Sequence, residues 1–182
     1  MALQPVLDRL VRPVEDWPEP GVTFRDITPL LGDHAAFSAV VAELADAVRA
    51  LGPVDAVVGV EARGFVVGAP LALALGVGFV PARKSGKLPA DTHAVTYALE
   101  YGEATLEVHV DALAPGARTV VVDDVLATGG TLLATDELVR SCGAEVVAHA
   151  VMIEIAALGG RARLGDVPLV CLHTYGDPEE AS

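Results

Sequence analysis

Val120-Val121-Val122-Asp123-Asp124-Val125-Leu126-Ala127-Thr128-Gly129-Gly130-Thr131 is the stretch on which the reading of this chain turns. Arg118–Val122 is an apolar run with the look of a central parallel strand, and it ends at two carboxylates. A short loop with two glycines and two threonines follows, and Thr131–Cys142 then reads as a helix. Glycines let backbone N–H groups approach an anion closely, and a helix N-terminus adds partial positive charge. The Thr128 and Thr131 hydroxyls can donate to phosphate oxygens. Carboxylates at a strand end can accept hydrogen bonds from sugar hydroxyls, so the segment suits a phosphorylated sugar. Successive strand residues point to opposite faces, so Asp123 and Asp124 cannot do identical jobs. A tight strand-to-helix turn with an acidic exit is the plainer alternative. No Gly-Lys-Ser/Thr follows, which excludes a Walker-type loop.

Upstream, Phe37, Val40, Val41, Leu44, Val48 and Leu51 form one apolar helical stripe across residues 35–51. Val54–Val60 is rich in β-branched residues and reads as a strand. Residues 65–75 read as a helix and 77–82 as a strand. Residues 83–95 hold few core residues and two breakers, which predicts a mobile loop. Thr96–Tyr101 and Ala104–Val110 alternate apolar and polar residues, predicting a hairpin around Gly102. Val146–Ile155 and Leu169–Thr174 are further strands. Strands alternating with helices imply an α/β fold: an open, mostly parallel sheet with helices on both faces. Ligands of such sheets sit beyond the carboxyl ends of the strands, where strand order reverses.

With 182 residues the chain is expected to form a single domain, large enough to bury a core without disulfides or metals. Hydrophobic residues make up 52% and charged residues 20%, which excludes a disordered chain. Twelve Lys plus Arg against 25 Asp plus Glu give a net charge of −13. A body this acidic repels nucleic acid and anionic membranes, though a local basic pocket can still take a small anion. Gly64–Pro81 carries no charge but contains Gly76-Val77-Gly78, so it reads as two buried elements rather than a membrane span. Cys142 and Cys171 lack metal-ligand spacing, and the charged N-terminal stretch is unlike a signal peptide. A reducing, cytoplasmic setting is expected.

The acid-pair segment with its Thr-Gly-Gly-Thr loop resembles the phosphoribosyl-pyrophosphate signature of the type I phosphoribosyltransferases. Pro20–Leu31 resembles the base-binding segment of the adenine phosphoribosyltransferases. Glu61-Ala62-Arg63-Gly64-Phe65, Arg83–Pro89 and Tyr97–Gly102 resemble further family elements, in the family's order. The resemblance spans roughly residues 15–175 and implies a single phosphoribosyltransferase domain. Within it, residues 1–34 would form a base-binding segment and hood, and 83–95 a mobile active-site loop.

The resemblance implies that Asp123, Asp124, Ala127, Thr128, Gly129, Gly130 and Thr131 bind the ribose and 5′-phosphate. Arg63, Arg83, Lys84 and Lys87 lie in a stretch with no acid between Ala62 and Ala90, and would neutralise a leaving pyrophosphate. From the charges alone they read rather as a solvated basic loop, and it is the resemblance that favours the pyrophosphate role. The family also implies a cis peptide at Glu61-Ala62. Adenine would lie near Thr23, Phe24, Arg25 and Ile155, with Phe24 alternatively a core anchor. Glu154 is a candidate helper carboxylate. Glu100 faces solvent by strand alternation; the resemblance makes it the catalytic acid/base, with Tyr101 helping to close the site. Mg²⁺ is implied as cofactor, held mainly by substrate oxygens and water rather than by strict protein ligands. The expected substrates are adenine and phosphoribosyl pyrophosphate, in a homodimer of an apolar-rich chain (mean hydropathy +0.48). The alternatives are a xanthine phosphoribosyltransferase, or a purine regulator that keeps the phosphoribosyl-pyrophosphate site.

Overall fold

The computed structural model describes residues 3–98 and 102–176. In chain order the elements are α1 (Gln4–Leu10), β1 (Arg12–Val14), β2 (Phe24–Asp26), α2 (Thr28–Gly32), α3 (His34–Ala50), β3 (Ala56–Val60), α4 (Arg63–Leu75), β4 (Gly78–Lys84), β5 (Thr92–Ala98), β6 (Glu103–His109), β7 (Arg118–Leu126), α5 (Gly130–Ser141), β8 (Glu145–Ile155), α6 (Gly160–Arg163) and β9 (Leu169–Tyr175). Alternation along the central strands divides the apolar residues between two cores. Val57, Val120, Val122 and Met152 pack with Val40, Leu44 and Val48 of α3 and Val67 and Leu71 of α4. Val58, Val60, Val121 and Val151 pack with Leu132, Leu138 and Val139 of α5. Helices cover both faces, so β3 is buried at every position.

The seven-stranded sheet has the order β5-β6-β4-β3-β7-β8-β9. Strands β4, β3, β7, β8 and β9 are parallel, and the β5–β6 hairpin adds an antiparallel edge. From β3 the chain steps to β4 on one side and returns to β7 on the other. The order therefore reverses between β3 and β7, and a crevice opens beyond their carboxyl ends. The uncharged stretch 64–81 is α4 followed by β4, parted at Gly76 in the left-handed conformation (φ 76°). Among the described residues no helix is long and apolar enough to cross a membrane.

Two boundaries differ from the sequence reading. Strand β7 continues through both acids to Leu126, because the long β8 supplies a ladder beside it, pairing Asp123 with Val151 and Leu126 with Glu154. Arg83 and Lys84 belong to β4, paired with Glu107 and Leu106, while Thr92–Val95 belong to β5. The connection between them is 85–91 rather than 83–95. These polar strand ends are carried by partners in the sheet, not by apolar patterning of their own. Ser85 Oγ and Gly86 N–H both donate to the Glu107 carboxylate, at 2.5 and 3.0 Å. The Glu61–Ala62 peptide is cis.

A second, two-stranded sheet pairs β1 with β2 and sets the base segment over the crevice. Asp26 ties it together: it accepts from the Thr28 N–H at 2.8 Å and from Arg12 Nη2 at 2.5 Å. Hydrogen bonds from Thr28, and then from Arg12, pull its carboxyl from 3.8 down to about 2. A depressed carboxyl contributes stability that is present above its unfolded value and is lost as pH falls toward its folded value. The Asp26→Asn variant is therefore expected to melt a few degrees below the parent at neutral pH. The gap should narrow as pH drops from about 4 toward 2. Thermal melts across that range check this; a gap independent of pH would refute the ion-pair account.

Candidate active site

A cavity of about 390 Å³ occupies the crevice at the ends of β3 and β7, beside the β2 segment. Its floor is the acid pair. Asp124 is 1% exposed, and its Oδ2 lies 2.9 Å from Nε of Arg63, the first residue of α4. The Asp124 N–H donates to Asp123 Oδ1 at 2.9 Å. Burial pushes both carboxyls upward, and the Asp124 charge raises Asp123 further, while Arg63 works against both shifts. A buried negative pair of this kind favours hydrogen-bond donors and cations. Both acids line the cavity, and Asp123 also reaches the adjoining depression; their differing tasks lie in Asp124 meeting Arg63 and Asp123 facing the loop.

That depression, about 60 Å³, is formed by Asp123 and Val125–Leu132. Gly129 caps α5 with φ 81°, a conformation that favours glycine, and the first turn of α5 holds no acid. The leading N–H groups of a helix have no partner within it, so they are available to an anion here. Thr131 Oγ1 lies 3.4 Å from the Tyr97 hydroxyl. The five residues Ala127, Thr128, Gly129, Gly130 and Thr131 thus form a single cradle.

The opposite wall is the base segment. Thr23, Phe24 and Arg25 line the cavity with Ile155, and Val22 and Leu158 add apolar surface. The Phe24 ring meets Trp17 edge-on at 4.5 Å, with the Arg63 guanidinium 5.2 Å from its centroid. Phe24 is half-buried at the cavity rather than sunk in the core. The Arg25 guanidinium stacks over Tyr175 at 4.2 Å.

Of the four basic residues, only Arg63 lines the cavity. The other three gather on Glu61, which does line it. Lys87 Nζ pairs with Glu61, Arg83 Nε lies 3.5 Å from Oε2, and the Lys84 N–H donates to Oε2 at 2.9 Å. The hydrogen bond from Lys87 leads the interactions that hold the Glu61 carboxyl below its ordinary value. The Lys84 side chain itself is exposed. Sequence reasoning gave Glu61 no task of its own, although an acid after a wholly apolar strand was visible.

Glu154 is 4% exposed and bound away from the cavity by Arg161 and Thr174. It is therefore not poised as a helper carboxylate, and Ile155 takes the cavity side, as alternation along β8 requires. Glu100 and Tyr101 lie outside the described residues. Among the described residues no cluster of three or more His, Cys, Asp or Glu could hold a metal ion.

The Phosphoribosyl transferase domain family matches residues 30–172. A curated adenine phosphoribosyltransferase from Nocardioides sp. is 61% identical over 168 residues, covering 91% of each chain. One from Synechococcus sp. is 52% identical over 93% of this chain and 98% of its own. The crystal structure of adenine phosphoribosyltransferase from Thermoanaerobacter pseudethanolicus superposes with a TM-score of 0.91 at 44% identity, covering 95% of this chain and 99% of that one. The Saccharomyces cerevisiae enzyme, solved with adenine and an imino-altritol bisphosphate, gives 0.89 at 34% identity, with 93% and 98% covered. Full-length similarity, together with the acid pair, the cradle and the Phe24 wall around one cavity, places this chain in the adenine phosphoribosyltransferase family.

Proposed function

We infer that this chain transfers the 5-phosphoribosyl group from phosphoribosyl pyrophosphate to adenine, giving AMP and pyrophosphate. The observation that carries the reading is that a phosphate cradle, an acid pair and an aromatic base wall open onto one crevice. Adenine stacks against Phe24 and Ile155, and its polar edge meets the backbone at Thr23 and Arg25. The 5′-phosphate sits on Ala127–Thr131, and the ribose hydroxyls donate to Asp123 and Asp124. N9 of adenine forms a bond to the anomeric carbon as the bond to the pyrophosphate oxygen breaks. The proton that adenine sheds passes to Glu100. Positive charge on the ribose ring is offset by the acid pair, and negative charge on the departing group by Arg63, Lys87, Arg83 and Lys84.

The donor set fits Mg²⁺ held chiefly by substrate. Asp123 and Asp124 would face the ion among the protein acids, while Glu61, the third acid on the wall, is occupied by its basic neighbours. When bound, the ion neutralises charge on the diphosphate. Free Cys142 and Cys171 support action in a reducing cytoplasm. Exposed Val66 and Leu73 on α4, next to a groove lined by Phe37, Val41, Pro70 and Ala74, support a homodimer.

Three outcomes are expected. In assays with adenine, xanthine, hypoxanthine and guanine, with and without Mg²⁺, adenine alone should release pyrophosphate rapidly, and only with the metal; turnover of xanthine instead would overturn the base assignment. Glu100→Gln should lower kcat on the order of 10²-fold while leaving the affinity for phosphoribosyl pyrophosphate nearly intact. Unaltered turnover would remove Glu100 from the proton transfer. Light scattering should return twice the chain mass, and a single-chain mass would refute the dimer.

A further inference from the structure

The cradle Ala127–Thr131 contains no basic side chain, and two carboxylates stand just before it. A phosphate there would meet only N–H groups and hydroxyls beside negative charge. A cation reaches this loop from elsewhere in the chain. Arg163, the last residue of α6, donates from Nη1 to the Thr128 carbonyl at 2.7 Å. The beginning of the same helix abuts the loop. A Cβ on Gly160 would stand 2.1 Å from the Ala127 oxygen, and one on Gly129 would stand 3.1 Å from the Gly160 oxygen. Helix α6 is itself anchored, since Arg161 Nε donates to both oxygens of Glu154, at 3.0 and 3.1 Å. Residues 159–163 are therefore a buttress between the end of β8 and the back of the cradle.

The Thr128 carbonyl and the Gly129 N–H belong to one planar trans peptide and point in opposite directions. Thr128 and Gly129 line the cradle and Arg163 does not, so an arginine that holds the Thr128 carbonyl from outside the lining leaves the opposite, Gly129 N–H side of that peptide for a ligand. We propose that Arg163 is a positioning residue for the 5′-phosphate: it fixes the Thr128–Gly129 peptide with its N–H toward the ligand and places the cradle's missing positive charge behind it. This rests on the phosphoribosyl reading given above.

The test compares the full-length parent, Arg163→Ala and Arg163→Lys. AMP binding is measured by calorimetry at low and high salt, and KM is measured for both substrates. Arg163→Ala is expected to weaken AMP, and to raise KM for phosphoribosyl pyrophosphate, by about tenfold, in keeping with loss of one charged hydrogen bond. Its KM for adenine should not change, and its AMP affinity should lose part of its salt dependence. Arg163→Lys, which keeps the charge and a donor, should restore most of the loss. AMP binding by Arg163→Ala equal to the parent's would overturn the assignment and leave the proposed function standing. Equal weakening of AMP and adenine, unrelieved by lysine, would also overturn it, since that marks general loosening. Failure of the parent to bind AMP would bring down the phosphoribosyl reading, and this inference with it.

Discussion

Two neighbouring carboxylates at the end of a buried strand are unfavourable unless something answers their charge. Arg63 does so for Asp124 at 2.9 Å, and much of the site follows from how it is held there. It opens α4, so its position depends on how closely that helix packs on β7. Gly64 makes the approach possible: a Cβ at this position would stand 2.7 Å from the Val122 carbonyl oxygen. The same guanidinium lies over Phe24, which couples the acid floor to the base wall. One side chain thus spans the point at which strand order reverses.

Charge is unevenly spent across the molecule. The chain is strongly acidic as a whole, yet Arg63, Arg83 and Lys87 converge beside a single crevice. The acids that remain near them are not solvated spares. Asp124 answers Arg63, and Glu61 answers Lys87 and Arg83. Away from the crevice, buried Asp136 meets His149 at 2.8 Å and ties α5 to β8, so the helix that leads out of the cradle is fixed from its far side.

The central strands and the three long helices were legible in the sequence because they are apolar and periodic. The acid pair and the glycine-threonine loop were legible because few other folds need those residue types together. What stayed hidden was everything set by partners distant in sequence. The polar ends of β4 and β5 are strands only because β6 lies between them. Glu61 looked like the close of a strand and not like a hub, since its partners Arg83 and Lys87 lie more than twenty residues on. Glu154 looked available, but Arg161 occupies it from a four-residue helix that no periodicity announces. Glu100 was drawn from kinship with known families, not from its place in an alternating strand.

The attachment of Lys87 and Arg83 to Glu61 bears on how an anion is received and released. Cations already satisfied by a neighbour are handed over by exchange, so what an incoming polyanion gains is the difference between two partnerships. Glu61, left ionised when they depart, stays at hand to reclaim them. On the proposed reading such an arrangement would limit retention of a spent leaving group, since Lys87 on the 85–91 connection and Arg83 near the end of β4 share one waiting partner in Glu61.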